Sequence, residues 1–138
     1  MAGTVPEAAQ SDTLTEMIAH IMGNWYMRLI SSNFTPGPTT TLASLLAIEA
    51  SFTGYAPAPL TTWSAPSIDG TTASISTNTQ GVFTGTGVGG TGNLYGYFLC
   101  NSAATEFYLV EKFGGAPLSQ AQNVAFEVDV TYSLITRF

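Results

Sequence analysis

The chain has 138 residues and a formal net charge of −6, with nine acidic residues against three basic ones, Arg28, Lys112 and Arg137. Phosphate recognition needs clustered Lys and Arg, so nucleic acid and anionic membranes are excluded as partners. One domain with one core fits the length. Hydrophobic residues make up 45% and charged residues only 9% of the chain, where about a quarter charged is usual. Twenty Thr and twelve Ser fill the gap. Thr is β-branched and suits a pleated sheet, so the composition favours strands. A surface this short of charge also suits broad contact with other subunits. The single cysteine, Cys100, allows no intrachain disulfide and reads as a small buried hydrophobe.

In chain order, residues 1–12 read as an extended N-terminal arm, and 13–138 as one mainly β domain. The opening MAGTVPEAAQSD lacks the basic and apolar regions of a secretory leader, so synthesis in a cytoplasm is expected. Leu14, Met17, Ile18 and Ile21 share one helical face, which predicts a helix over 13–22 capped by Asp12 and closed by Gly23. Residues 24–31 predict the first strand, with Trp25, Met27 and Leu29 on one face. Pro36, Gly37 and Pro38 make a turn, and residues 41–50 predict a short helix. Residues 52–59 read as loop. Strands follow near 60–65, 71–77, 80–85, 93–100, 105–113 and 123–135, separated by Asp69-Gly70, the glycine run at 85–92 and Gly114-Gly115. The last is the clearest: Phe126, Val128, Val130, Tyr132 and Leu134 alternate with Glu127, Asp129, Thr131 and Ser133. Short strands at this spacing predict an antiparallel β-sandwich, a jelly roll being one form of it.

Chemistry-bearing patterns are sparse. His20, the one histidine, has Glu16 four residues before it on the predicted helix but lacks the further ligands a zinc site needs. Glu127 and Asp129 share the polar face of the last strand. Paired carboxylates cleave glycosides when a cleft separates their pKa values, but two acids at i and i+2 on a strand read more simply as a solvated face. The run from Gly85 to Gly90 matches GxGxxG in letters, yet turn and strand follow it instead of a helix, so it reads as a hairpin loop. No Ser nucleophile has a placed base. The chain is therefore expected to have no catalytic residues, no cofactor and no metal. Trp25 and Trp63 read as core anchors that become interface hot spots only if exposed.

The stretch MRLISSNFTPGPTTTLASL, followed by EASFTGY, resembles a segment of small tailed-phage structural proteins encoded near the major capsid protein. Leu94-Tyr95-Gly96-Tyr97-Phe98 is similar to a strand that pairs, in that group, with one ending like Glu111-Lys112-Phe113, and AFEVDVTYSL resembles its terminal strand. The likeness spans roughly residues 24–135, and residues 42–49 depart from it in being more apolar. It implies a virion protein of the capsid cement or decoration type, bound to the major capsid protein and to itself as a homotrimer on the capsid surface. The alternative is a tail-fibre or tail-tip module that binds host-surface glycans. Val5, Pro6, Trp25, Phe34 and Trp63 are the candidate interface residues.

Overall fold

A computed structural model describes residues 25–61, 67–69, 72–76, 81–129 and 131–135, with Ala9, Asp12, Thr13 and Glu16, the backbone alone being described at 67–69, 72–76 and 131–135. Its elements are β1 (Tyr26–Ile30), α1 (Leu42–Leu46), β2 (Ala58–Pro59), β3 (Ser67–Asp69), β4 (Thr72–Ser76), β5 (Gly81–Thr84), β6 (Gly92–Leu94), β7 (Gly96–Cys100), β8 (Phe107–Lys112), β9 (Leu118–Gln120), β10 (Ala125–Val128) and β11 (Thr131–Ile135). The protein is mainly β, as its composition predicts, and every strand pair is antiparallel. Among the described residues the strands form four separate sheets: β2-β1-β7-β8, β10-β5, β11-β4-β3 and β6-β9.

The four-stranded sheet is the centre. β7 reads GYFLC and all five residues are buried. A strand apolar on both faces must be covered on both. On one face Tyr97 and Leu99 lie opposite Leu29 and Met27 of β1. Phe83 of β5 and Val128 of β10 complete that cluster. On the other face Phe98 and Cys100 join Ile30 and Leu45, the buried residue of α1. Each large side chain removed from water contributes roughly 1.5–3 kcal/mol, so the two layers hold the sheet between them.

The short helix forms where predicted. Thr41 caps it: its Oγ1 accepts from Ser44 N at 3.2 Å, and Ser44 Oγ accepts from Thr41 N at 3.4 Å. Such a capping box satisfies two N–H groups that a helix start leaves open.

The structure departs from the expected boundaries in several places. β2 falls in the stretch 52–59 that reads as loop, and β3 and β9 lie outside every expected strand. Ala9 and Asp12 have helical backbone, so helical structure starts ahead of residue 13 and Asp12 lies within it. The Glu7-Ala8-Ala9-Gln10 run contains strong helix formers, which an arm ending at residue 12 overlooks. Val5 and Pro6, His20, Trp63 and most of the predicted first helix lie outside the described residues. The strand expected over 93–100 breaks at Tyr95, because β6 pairs with β9 while β7 joins the central sheet. The strand expected over 123–135 divides into β10, which pairs with β5, and β11, which pairs with β4. Its alternation holds over the first part, where Val128 is buried and Glu127 and Asp129 are exposed. Gly96 stands directly after the first break and no Gly or Pro marks the second; the choice of partner strand separates the elements at both. The glycine run is a connection between two ribbons, since β5 and β6 pair with other strands and not with each other.

At Gly96 the backbone of β8 and the Phe34 ring press closely on β7. A Cβ there would lie 2.3 Å from the Glu111 carbonyl oxygen and 2.9 Å from the Phe34 ring, whereas one at Gly37 would meet nothing within 4 Å. Gly96→Ala is therefore expected to cost about 1–3 kcal/mol in urea unfolding, while Gly37→Ala leaves the midpoint unchanged or slightly raised. Equal midpoints for the two variants would contradict this packing.

Candidate functional site

Trp25 is 2% exposed and offers no area to a partner, so it belongs to the core and leaves the set of interface candidates. A β-bulge between Leu99 and Cys100 leaves Tyr108 without a paired residue on β7. A bulge re-aims side chains locally, and Tyr108 lies against Trp25 with ring centroids 4.7 Å apart. Phe34 is half-buried against the second core cluster, next to Gly96, and so is largely committed to packing.

Residues quoted for the phage likeness come together around β1, β7 and β8. Gly96 lies opposite Lys112 and Tyr97 opposite Glu111, the expected pairing of those two strands. Lys112 Nζ donates to Asn33 Oδ1 at 2.6 Å. Tyr97 donates from its hydroxyl to Glu111 Oε2. Arg28 Nη1 donates to both carboxylate oxygens of Glu49 at 3.0 Å. Tyr55 donates its hydroxyl proton to Glu49 Oε1 at 2.8 Å and accepts from Leu29 N at 3.1 Å. The two charged side chains are only 16% and 17% exposed.

This network was not anticipated from the sequence, though a signal was there. Arg28 interrupts an apolar strand and Glu49 ends an apolar run. Each is a lone charge in apolar surroundings, and lone buried charges need a partner. Chain geometry explains the meeting. Ile30 and Glu49 form an antiparallel bridge, Ser31 N donates to Ile48 O and Ala50 N donates to Leu29 O. The segment after α1 thus runs along the β1 edge where β2 stops.

The electrostatics follow from burial. Burial, then the hydrogen bond to Glu49, pushes the Tyr55 phenol well above its usual range. Burial and Glu111 do the same to Tyr97, and burial with Glu106 pushes Tyr108 up to about 12. Burial raises the Cys100 thiol too, with Arg28 opposing. These phenols stay neutral and serve as hydrogen-bond donors.

Among the described residues the remaining motifs gather no reactive set. Among the described residues no three of His, Cys, Asp and Glu come together in a way that could hold a metal ion. In the glycine run, Thr86 N donates to Thr53 O and Gly90 N to Gly87 O, so neither amide is open to a phosphate. A Cβ on Gly85 would lie 2.0 Å from Gly90 O; the glycines let the loop fold back on itself. Val88 at its tip is 95% exposed.

Two depressions flank β6. One, of about 240 Å³, includes Ser31, Ser51, Phe52, Thr91 and Asn93. The other, of about 290 Å³, is lined by Thr91, Gly92, Asn93, Ser119 and Gln120. Both fall below the roughly 300–1,000 Å³ of sites for drug-sized ligands. No protein-family model, curated protein or solved structure matches the chain.

Two predictions follow from the buried polar groups. Glu49→Ala strands the Arg28 guanidinium and is expected to cost about 1–3 kcal/mol, while the double variant Arg28→Met/Glu49→Leu costs less than the single one; a denaturant double-mutant cycle measures both. In alkali, the unfolded chain releases phenolic protons near pH ~10, whereas the folded chain holds those of Tyr55 and Tyr97 to higher pH. The folded state then carries more protons above that pH, so stability is full below it and falls as pH rises further. Phenolate absorbance should show these two tyrosines ionising only as the fold opens, and their titration with the surface phenols would refute the assignment.

Proposed function

We propose that this chain is a phage virion structural protein, a capsid cement or decoration protein that binds and stabilises neighbouring major capsid proteins as a homotrimer. One observation carries the reading. The two described cations are engaged internally, Arg28 on Glu49 and Lys112 on Asn33, while exposed positions such as Ser31, Ser51, Thr91 and Ser119 carry uncharged hydroxyls. Such a surface makes hydrogen bonds over a wide area with little charge to desolvate, and interface cores are depleted in charge for that reason. The resemblance over residues 24–135 supports the virion assignment. The internal tyrosine–carboxylate bonds support a rigid part that works by staying folded.

Cryo-electron microscopy of the source particle tests the reading. Density for this chain on the capsid lattice at three-fold positions is the expected result, and particles lacking the protein should rupture at a lower temperature. A tail location, or capsids equally stable without it, would overturn the cement role. Sedimentation equilibrium is expected to give a trimer mass, alone or with the capsid protein.

A further inference from the structure

We propose that the charge-free surface around the 85–90 loop is where copies of this chain meet, with Val88 at the centre of the contact. This face deepens the homotrimer reading, on which it rests. Asp, Glu, Lys and Arg are absent from residues 50–68, 70–105 and 113–126. Pieces of all three stretches are tied together at the loop. Thr53 N donates to Gly89 O and Thr53 O accepts from Thr86 N, both at 2.8 Å. Asn123 N donates to Gly85 O at 2.8 Å, and Gly85 bridges Gln122. Thr53, Gly54, Thr86, Gln122, Asn123 and Val124 are exposed. Val82 is left outside this surface, since it lies opposite Glu127 on the β5–β10 ribbon.

The loop is built to hold Val88 out. Gly90 N donates to Gly87 O at 3.1 Å and closes the turn that carries it. Gly87 has a φ of +64°, in the left-handed region that favours glycine. A Cβ on Gly89 would lie 2.2 Å from Thr53 Oγ1, and one on Gly90 would lie 2.4 Å from Thr86 N. Glycine is therefore needed on both sides of Val88, while Val88 itself is 95% exposed, against 48% for Val82 and 55% for Val124. Turn positions are commonly filled by Gly, Asn, Asp or Ser, and a β-branched apolar residue at this tip gains almost nothing from its own fold. Thr53 braces both limbs of the loop, so the loop loses little freedom when a neighbour covers it. Preorganised contacts of that kind bind more tightly.

Charge selects the occupant. Each copy carries a net charge of −6, and like charges set against each other oppose association. The charge-free surface lets two copies approach without placing carboxylate against carboxylate. Its hydroxyl and amide groups both donate and accept, so the surface complements itself. A basic partner finds no carboxylate in these segments, and an acidic one finds no cation. Val88 side chains from neighbouring copies supply the apolar centre, and the Thr, Gln and Asn side chains around them supply the polar rim.

Sedimentation equilibrium of the full chain from micromolar to millimolar concentration tests the face. The wild type is expected to self-associate. Val88→Asp places like charges together at the contact and should weaken association about tenfold or more, whereas Val88→Ile keeps an apolar tip and should retain it. Both variants should keep the circular dichroism spectrum of the wild type, because the Val88 side chain is almost wholly outside its own fold. Concentration-dependent 1H–15N shifts are expected at Thr53, Thr86, Val88 and Asn123. A Val88→Asp chain that associates as tightly as the wild type overturns this face and leaves the homotrimer reading to another one. A wild type that is monomeric at every concentration overturns this face and self-association in solution together, while the capsid position is judged separately by microscopy of the particle.

Discussion

The burial of β7 on both faces is the constraint from which the rest of the structure follows. Five consecutive residues with no polar side to turn toward water cannot form an edge or a surface strand. They require β1 and β8 as neighbours, one layer from β5 and β10, and another from α1. Gly96 enters the same logic. It is the point in β7 where the Phe34 ring and the Glu111 carbonyl approach too closely for any side chain.

The second organising feature is the ion pair of Arg28 and Glu49 with the Tyr55 hydroxyl. β2 pairs only with Tyr26 and Met27, so the edge of β1 beyond them needs other partners. The segment after α1 and the Tyr55 hydroxyl supply them, and Glu49 is thereby carried to Arg28. Buried pairs of this kind add little net stability over a well-packed apolar alternative, whereas removing one partner is strongly destabilising. Here the pair fastens the segment after α1 along β1.

These interactions bear on function by accounting for the reactive-looking groups. Tyr55, Tyr97 and Tyr108 keep their phenolic protons and donate hydrogen bonds to Glu49, Glu111 and Glu106, and the glycine run folds back on itself. Among the described residues, most exposed polar side chains are hydroxyls and amides. Uncharged hydrogen-bonding groups held on a β scaffold suit broad contact with other subunits.

Composition, alternation and turn residues were enough to read the mainly β class, the placement of β1, β4, β5 and β8, the short helix near residue 42 and the burial of Trp25 and Cys100, because propensity and side-chain periodicity act over a few residues. The pairing of the Gly96 and Glu111 segments was expected only from the resemblance to phage structural proteins, not from propensity or periodicity. The breaks at Tyr95 and after Val128, the meeting of Arg28 with Glu49, and the facing of Gly92 and Gln120 were not legible. Each depends on which distant strand a segment pairs with, and pairing is decided by the layers that must cover β7. The sequence by itself determined the mainly β class and which residues need burial; only the tertiary structure decided the short strands β2, β3 and β9 and the partners of all of them, because long-range contacts and not local preference choose among strands of equal propensity.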